Sequence, residues 1–349
     1  MGVRVLFEDH GVENYNVGLT SALGALGCEV TRFRLRPAYF RVLRTSPDLI
    51  GAAAAARDYD VVHLNIHMDA TVVLSLAGFP LVVTQHGPSD LERARGGERV
   101  YAYARATSLK VASALGNQLA TISRYAADSI SSAVGVRPAV VYHGIGPEWF
   151  RRVAPSATAR TALRIPQGKR VALWVGRGTE YKDPMTLLRA IRRVHSVNQN
   201  VFFVVKLWHS MPMDAEIESF VVRNGLASSV LIIHDMQPEL IPYLYAAADM
   251  LVHTSREEGF GFAVLEAMAS ALPVVVSDRG GPSEFVGAGG IQFRAGDDSE
   301  LADIVLSLSE DEVRRNELGR VAAEVAHTMT WDRAARAYMA LYRNRIDSR

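Results

Sequence analysis

Two glutamates, Glu258 and Glu266, flank the segment Gly259-Phe260-Gly261-Phe262, which follows an apolar run at 250–253 and opens a helical stretch at 262–271. Glycines let the backbone approach a ligand closely. The free N–H groups and dipole at a helix start favour an anion. A diphosphate seated there would lie with one carboxylate towards each of its ends. A carboxylate has two acceptor oxygens, suited to a pair of sugar hydroxyls, so one glutamate could hold a transferred sugar and the other a ribose. Glu257 is the neighbouring candidate for the first position. The plainer reading is a loop charge at Glu258 and a helix-surface residue at Glu266.

A second constellation is basic. The run at 171–175 leads into Gly176-Arg177-Gly178-Thr179-Glu180-Tyr181-Lys182-Asp183-Pro184, with a helix expected from Met185. Of 38 basic residues only Lys110, Lys169, Lys182 and Lys206 are lysines, so each marks a particular place. When a diphosphate leaves, negative charge develops on its oxygens, and preorganised cations aimed there lower the barrier. Arginine offers a planar fork to phosphate and lysine a compact point charge. A third feature is His86, which ends the run Val82-Val83-Thr84-Gln85. A neutral imidazole there could hydrogen-bond a hydroxyl or a phosphate. His63 and His67 compete with it, and their spacing resembles a metal pair only superficially because no third ligand is in view.

Such residues need a frame. Short β-branched runs alternate with helical stretches along all 349 residues. Expected strands are 3–7, 29–35, 60–66, 80–85, 119–122 and 139–142 in the first half, and 171–175, 201–207, 230–233, 250–253, 273–277 and 291–293 in the second. Many are almost wholly apolar, as in parallel sheets covered on both faces. The alternation predicts an α/β protein with two doubly wound domains. The Arg-, Ala- and Pro-rich stretch at 148–169 has little strand character and places the boundary near Pro155: residues 1–155, then 156–330, then a helix at 331–349. That helix puts Trp331, Ala334, Ala335, Tyr338, Leu341 and Tyr342 on one stripe. Ligands of open α/β sheets bind at the carboxyl ends of the strands, so the loops after each strand are expected to carry the chemistry.

The segment from Ser255 to Glu284 resembles the retaining GT-B glycosyltransferases of family 4. It carries their Glu-seven-Glu spacing, the Gly-Phe-Gly turn, Leu265-Glu266-Ala267-Met268, Pro273 to Asp278, and Gly280-Gly281-Pro282-Ser283-Glu284. Arg177 and Lys182 resemble the pair that grips the donor diphosphate, although Asp183 stands where a glycine is usual. His86 resembles a histidine that meets the donor sugar, and Tyr142-His143-Gly144-Ile145 the domain-crossing Asn-Gly-Val with His143 for Asn. After the first strand only Gly11 of two usual glycines remains, beside His10. Lys206-Leu207-Trp208-His209 replaces a glycine-rich loop, and Lys206 is expected on the nucleotide side. The Trp331 helix resembles an element that packs back across the domains.

The resemblance implies two Rossmann-like domains facing a cleft and transfer of a hexosyl group, with retention, from a nucleoside diphosphate sugar to a glycan, lipid-linked or small hydroxyl acceptor. It assigns Glu258 to the donor sugar, Glu266 to the ribose, and Arg177, Lys182 and His86 to catalysis, with Gly259, Phe260, Gly261, Phe262, Gly11 and Lys206 lining the donor. No cofactor beyond the donor and no bound metal are expected. A nucleotide-sugar epimerase, a sugar phosphorylase and a non-catalytic binding subunit are the competing functions.

Composition narrows the partners. The formal net charge is +1, which gives no electrostatic case for nucleic acid. The single cysteine, Cys28, excludes an intrachain disulfide and reads as a small packed residue. No secretory signal or membrane-length apolar stretch is visible, so a cytoplasmic protein is expected. The segment Arg32–Arg44, with five arginines among large apolar residues and no acids, suits peripheral contact with an anionic membrane or equally an ordinary half-buried strand.

Overall fold

A computed structural model of the chain describes residues 2–9, 13–35, 47–65, 67–89, 94, 96–151, 153–208 and 210–348. The elements alternate as the sequence implies. The first series is β1 (Arg4–Glu8), α1 (Glu13–Ala25), β2 (Glu29–Phe33), α2 (Pro47–Ala55), β3 (Val61–Asn65), α3 (Met68–Leu76), β4 (Leu81–Gln85), α4 (Gly97–Ala114), β5 (Gln118–Thr121), α5 (Arg124–Val134) and β6 (Ala139–Val140). The second is α6 (Ser156–Ala162), β7 (Arg170–Gly176), α7 (Pro184–Val197), β8 (Val201–Leu207), α8 (Asp214–Arg223), β9 (Val230–Ile233), α9 (Ile241–Ala247), β10 (Met250–His253), α10 (Phe262–Ala269), β11 (Val274–Ser277), α11 (Pro282–Phe285) and β12 (Gly290–Phe293). Helices α12 (Asp298–Glu310), α13 (Glu312–His327) and α14 (Trp331–Asp347) follow.

These elements form two compact units. Unit 1 holds the residues up to Gly146 together with those from Met329 onward, and unit 2 is Pro147–Thr328. The division falls ahead of the boundary expected near Pro155. Its cause is a 3-10 turn at Pro147–Phe150 whose side chains belong to unit 2: Trp149 meets Tyr245 edge to face and Phe150 stacks on His327.

In unit 1 six strands run in the order β2-β1-β3-β4-β5-β6, all parallel. Alternate residues of β1 go to opposite faces. Leu6 joins Val62, Leu64, Leu81 and Val83 on one side, and Val5 and Phe7 join Tyr15, Leu19 and Leu23 of α1 on the other. The second face is completed by α14, whose Ala334, Ala335, Tyr338, Met339 and Tyr342 lie in that core, on the stripe read from the sequence. Cys28 is packed there, its sulfur 3.0 Å from that of Met339. His63 is wholly buried in the same face. Its Nε2 lies 2.8 Å from the Thr84 hydroxyl and 3.2 Å from that of Tyr15, and its Nδ1 lies 2.6 Å from the Tyr342 hydroxyl. Both ring nitrogens therefore serve the core.

Unit 2 has the order β12-β11-β10-β7-β8-β9, again all parallel. Its core includes Trp174, Phe203, Val205, Val252 and Val275 against Leu187, Ile191 and Val194 of α7 and Leu301 and Val305 of α12. Each sheet has one place where neighbouring strands wind off in opposite directions: between β1 and β3 in unit 1, and between β7 and β10 in unit 2. The loops that leave such neighbours diverge and open a crevice at the carboxyl ends of the strands.

The return of the chain into unit 1 is sterically tight. A Cβ on Gly144 would stand 2.1 Å from the backbone nitrogen of Trp331, and one on Gly18 would stand 2.3 Å from the Trp331 ring. Gly144→Ala should therefore destabilise unit 1 by about 1–3 kcal/mol, the usual cost of forcing atoms into a packed site. Gly51→Ala in α2, where a Cβ meets nothing within 4 Å, should stabilise by roughly 0.5–1 kcal/mol. Urea unfolding of the two variants checks both signs.

Candidate functional site

The crevice of unit 2 gathers most of the residues singled out from sequence. Arg177 and Lys182 leave β7, and Glu258 leaves β10, the strand beside it. The Lys182 ammonium and Glu258 carboxylate are in direct contact, each mostly buried. His253, the last residue of β10, sets its Nε2 3.5 Å from Glu258 Oε2. Burial alone would raise the Glu258 carboxyl, but the Lys182 charge and hydrogen bonding from His253 and Lys182 outweigh it and hold the group well below the usual carboxylate range. Glu258 is thus ionised at neutral pH. The His253 imidazole is pushed below its ordinary value, first by burial and also by the Lys182 charge, against the opposing pull of Glu258, and stays neutral. Arg177 is exposed, with its guanidinium 5.5 Å from the centre of the Tyr181 ring.

Asp183 takes the left-handed conformation, φ +46°, which glycine adopts without strain. Here an aspartate gains what a glycine cannot: its carboxylate caps α7, accepting from the Thr186 N–H and hydroxyl, and accepts from Arg256 Nε at 2.7 Å. A cap of this kind contributes about 1 kcal/mol. Where the resemblance leads one to expect glycine, Asp183 takes a glycine-like backbone and adds an anchor between the two loops.

The Gly-Phe-Gly turn is fixed by a second glycine pair. Gly261 has φ +88° and precedes α10, and Gly280 has φ +82°. A Cβ on Gly280 would lie 2.8 Å from the Glu258 nitrogen and oxygen, and one on Gly281 would lie 2.4 Å from the Gly259 oxygen. The Gly281 N–H donates to the Glu258 carbonyl at 2.8 Å. The turn is locked from behind, while buried Phe260 packs between Phe262 and Phe285. One turn into α10, Glu266 accepts from the Tyr245 hydroxyl at 2.5 Å. Burial raises the Glu266 carboxyl to about 7 despite that hydrogen bond.

Lys206 ends inside the unit. It is fully buried, donates to the Leu207 carbonyl, and holds its ammonium 4.1 Å from the centre of the Trp208 ring. His253, Tyr245 and Arg256 were missed by sequence reasoning. The signal for His253 was its position as the strand's last residue, five before Glu258; Tyr245 gave none, because only the fold brings α9 beside α10.

His86 sits in unit 1, just past β4. Its Nε2 lies 3.0 Å from Asn65 Oδ1, Tyr15 packs edge-on at 4.4 Å, and His143 stacks at 5.4 Å. Beside Asn65, Glu8 ends β1 with no exposure, and burial raises its carboxyl to about 8 against the hydrogen bond from the Asn65 N–H. Gly11, His10 and His209 lie outside the described residues, as do Arg36 to Arg44 of the basic segment; Arg32 and Arg34 both turn to Asp9, at 2.8 and 3.7 Å. No described helix is long and apolar enough to cross a membrane.

The Glu8 carboxyl generates a pH signature. A folded-state value of about 8 against an ordinary 4.5 means that the folded chain keeps a proton the unfolded chain releases. The associated stability is present below pH 4.5 and is lost as pH rises through 8. Glu8→Gln keeps the neutral shape and removes the loss, so its thermal midpoint should exceed that of the parent protein at pH 8 and approach it at pH 5.

Comparison with known proteins places the chain among enzymes of one kind. Residues 156–325 match the family described as glycosyl transferases group 1, and residues 10–149 match glycosyltransferase family 4. The chain is 28% identical over 317 residues to D-inositol 3-phosphate glycosyltransferase 1 of Catenulispora acidiphila, covering 85% of this chain and 75% of that one. It is 26% identical over 307 residues to the D-inositol 3-phosphate glycosyltransferase of an Arthrobacter species, covering 83% and 71%. Among solved structures, Anabaena HepE in complex with UDP and glucose superposes with a TM-score of 0.76 at 20% identity, covering 97% of this chain and 98% of that one. Sucrose-phosphate synthase from Thermosynechococcus elongatus gives 0.76 at 21%, covering 99% and 100%. These two likenesses show the fold.

Proposed function

Because the chain belongs to the group 1 glycosyltransferases of the GT-B fold, we propose that it moves a hexosyl group from a nucleoside diphosphate sugar to a hydroxyl acceptor with retention of configuration. The observation that carries this reading is the crevice of unit 2, where Lys182 and Glu258 meet at the point of strand reversal beside the N-terminus of α10. In the proposal, the diphosphate takes the place at that N-terminus, and Lys182 exchanges its contact with Glu258 for the phosphate. Glu258, kept ionised, then turns its oxygens to hydroxyls of the transferred sugar. Glu266, held by Tyr245, receives the ribose.

Retention follows if the acceptor attacks on the face that the phosphate leaves and hands its proton to that phosphate. Such a path needs positioning and charge stabilisation more than a protein base. Arg177, Lys182 and the helix start then do the work that a metal does elsewhere, so no metal is required. UDP-glucose is the first donor to test, since HepE is seen with UDP and glucose, and inositol 3-phosphate is the first acceptor, after the enzymes that share 26–28% identity. Nucleotide release that depends on added acceptor distinguishes transfer from epimerisation.

Lys182→Ala should lower kcat on the order of 10²-fold or more, the cost of removing one group that stabilises developing charge. Near-normal kcat in a folded variant would remove Lys182 from the reaction. The two glutamates separate by calorimetry. Glu266→Ala should weaken binding of the bare nucleoside diphosphate, whereas Glu258→Ala should spare it and weaken only the nucleotide sugar. Unchanged nucleotide affinity in Glu266→Ala contradicts the ribose assignment.

A further inference from the structure

Lys182 and Glu258 meet only if two loops keep a fixed separation, the one that leaves β7 and the one that leaves β10. The loop after β7 closes a 3-10 turn at Glu180–Lys182. The N–H groups at its end stay inside it: Lys182 donates to the Thr179 carbonyl at 3.1 Å and Asp183 to that of Glu180 at 3.0 Å. The last two carbonyls turn outward to the β10 loop. The Arg256 backbone N–H donates to the Tyr181 carbonyl at 2.9 Å, and the Thr254 hydroxyl donates to the Lys182 carbonyl at 2.8 Å. The Trp174 indole N–H, 3.0 Å from the same hydroxyl oxygen, can only donate, so the Thr254 hydrogen is left to point at Lys182. The third bond runs from Arg256 Nε to the Asp183 carboxylate at 2.7 Å. Three consecutive residues, 181 to 183, are thus each tied to the β10 loop.

We infer that Asp183, Thr254 and Arg256 are positioning residues for Lys182, stapling the backbone on both sides of it to the loop that carries Glu258 and so aiming its ammonium. A lysine stem is flexible, and its charge is placed only as well as its backbone is. Thr254 and Asp183 are buried, so a bond lost at either is not made good by bulk water. The Asp183–Arg256 pair lies nearer the surface, with the arginine side chain 56% exposed, and acts by direction more than by strength. Position 183 separates shape from anchorage. Glycine would hold φ +46° without strain, yet it has no carboxylate to offer Arg256. The consequence for transfer rests on the proposed transferase reading; the placement of the lysine does not.

Placement of the lysine can be read without substrate. The chain has only four lysines, so the full chain labelled with 13C-lysine gives four Cε signals, and that of Lys182 is assigned by its loss in Lys182→Ala. Lys206, over the Trp208 ring, is the internal control for an intact unit 2. Arg256→Met keeps the Arg256 backbone N–H and the α7 cap, Thr254→Val removes only the hydroxyl, and Asp183→Gly keeps the backbone shape. Each should move the Lys182 signal towards that of a free lysine and leave Lys206 in place. Arg256→Met combined with Asp183→Gly should move it no further than the larger single change. With a nucleotide sugar, Arg256→Met should lower kcat on the order of 10-fold, less than removal of the lysine itself. In the Lys182→Ala background it should lower kcat no further. An unmoved Lys182 signal in either Arg256→Met or Thr254→Val overturns the inference, as does a kcat loss from Arg256→Met that persists in the Lys182→Ala background. Should Thr254→Val or Asp183→Gly displace Lys206 as well, Arg256→Met decides. Absence of turnover by the parent protein with any nucleotide sugar defeats the transferase reading, and the lysine spectra still decide the staple.

Discussion

All strands in each sheet run parallel to their neighbours, so every loop that leaves a strand for a helix emerges at the same edge of its unit. Polar groups of such a chain gather chiefly towards that edge, because most of the strands are covered on both faces; His63, bonded to Thr84, Tyr15 and Tyr342 inside the core, is an exception. Where the winding reverses, the two loops turn away from each other and leave backbone and side-chain ends uncovered. In unit 2 that opening holds Lys182 and Glu258; in unit 1 it holds Glu8 and Asn65, with His86 one strand further on. The chemistry of the protein is thus placed by strand order before any individual contact is made.

Within unit 2 the same motif carries two carboxyls shifted in opposite directions. Glu258 has a lysine against it and stays ionised although buried, while Glu266 has only a tyrosine hydroxyl and is raised to about 7. Burial acts on both in the same direction, so the difference is made entirely by the partner. An ammonium in a poorly solvated crevice interacts far more strongly than it would in water, and a hydroxyl cannot replace it. Glu258 is held by a cation, and Glu266 is oriented by a neutral group that does not compete for its charge.

Much of this was legible in the chain. The twelve expected strands form, because uninterrupted runs such as Val171–Val175 and Val274–Val276 have no other means of covering both faces. The glutamate spacing, the Gly-Phe-Gly turn and the lysine at 182 come together in one crevice because they lie on loops from neighbouring strands. Other features depend on contacts far apart in sequence and leave no local trace. Strand order is not encoded in alternation, so the expected cleft loops could not be paired. Tyr245 reaches Glu266 only because α9 and α10 pack near each other, and His63 is drawn into the core by Tyr342, which lies 279 positions away. Glu8 ends a strand as a surface acid would, and nothing beside it in sequence announces its burial. Lys206, expected to line the nucleotide, is instead consumed by the Leu207 carbonyl and the Trp208 ring.

Unit 1 is discontinuous, and this orders the birth of the molecule. The face of its sheet built on Val5, Phe7 and Tyr15 is closed by Tyr338 and Tyr342 of α14, and α14 is made only after the whole of Pro147–Thr328. During synthesis residues 1–146 therefore emerge with one side of a parallel sheet covered only in part, by α1, and His63 without Tyr342, whereas unit 2 emerges as a single uninterrupted piece that holds all of its own core. The later unit can finish first, and the earlier one must wait in a partly open form with apolar surface showing, the state in which nascent chains engage chaperones or one another.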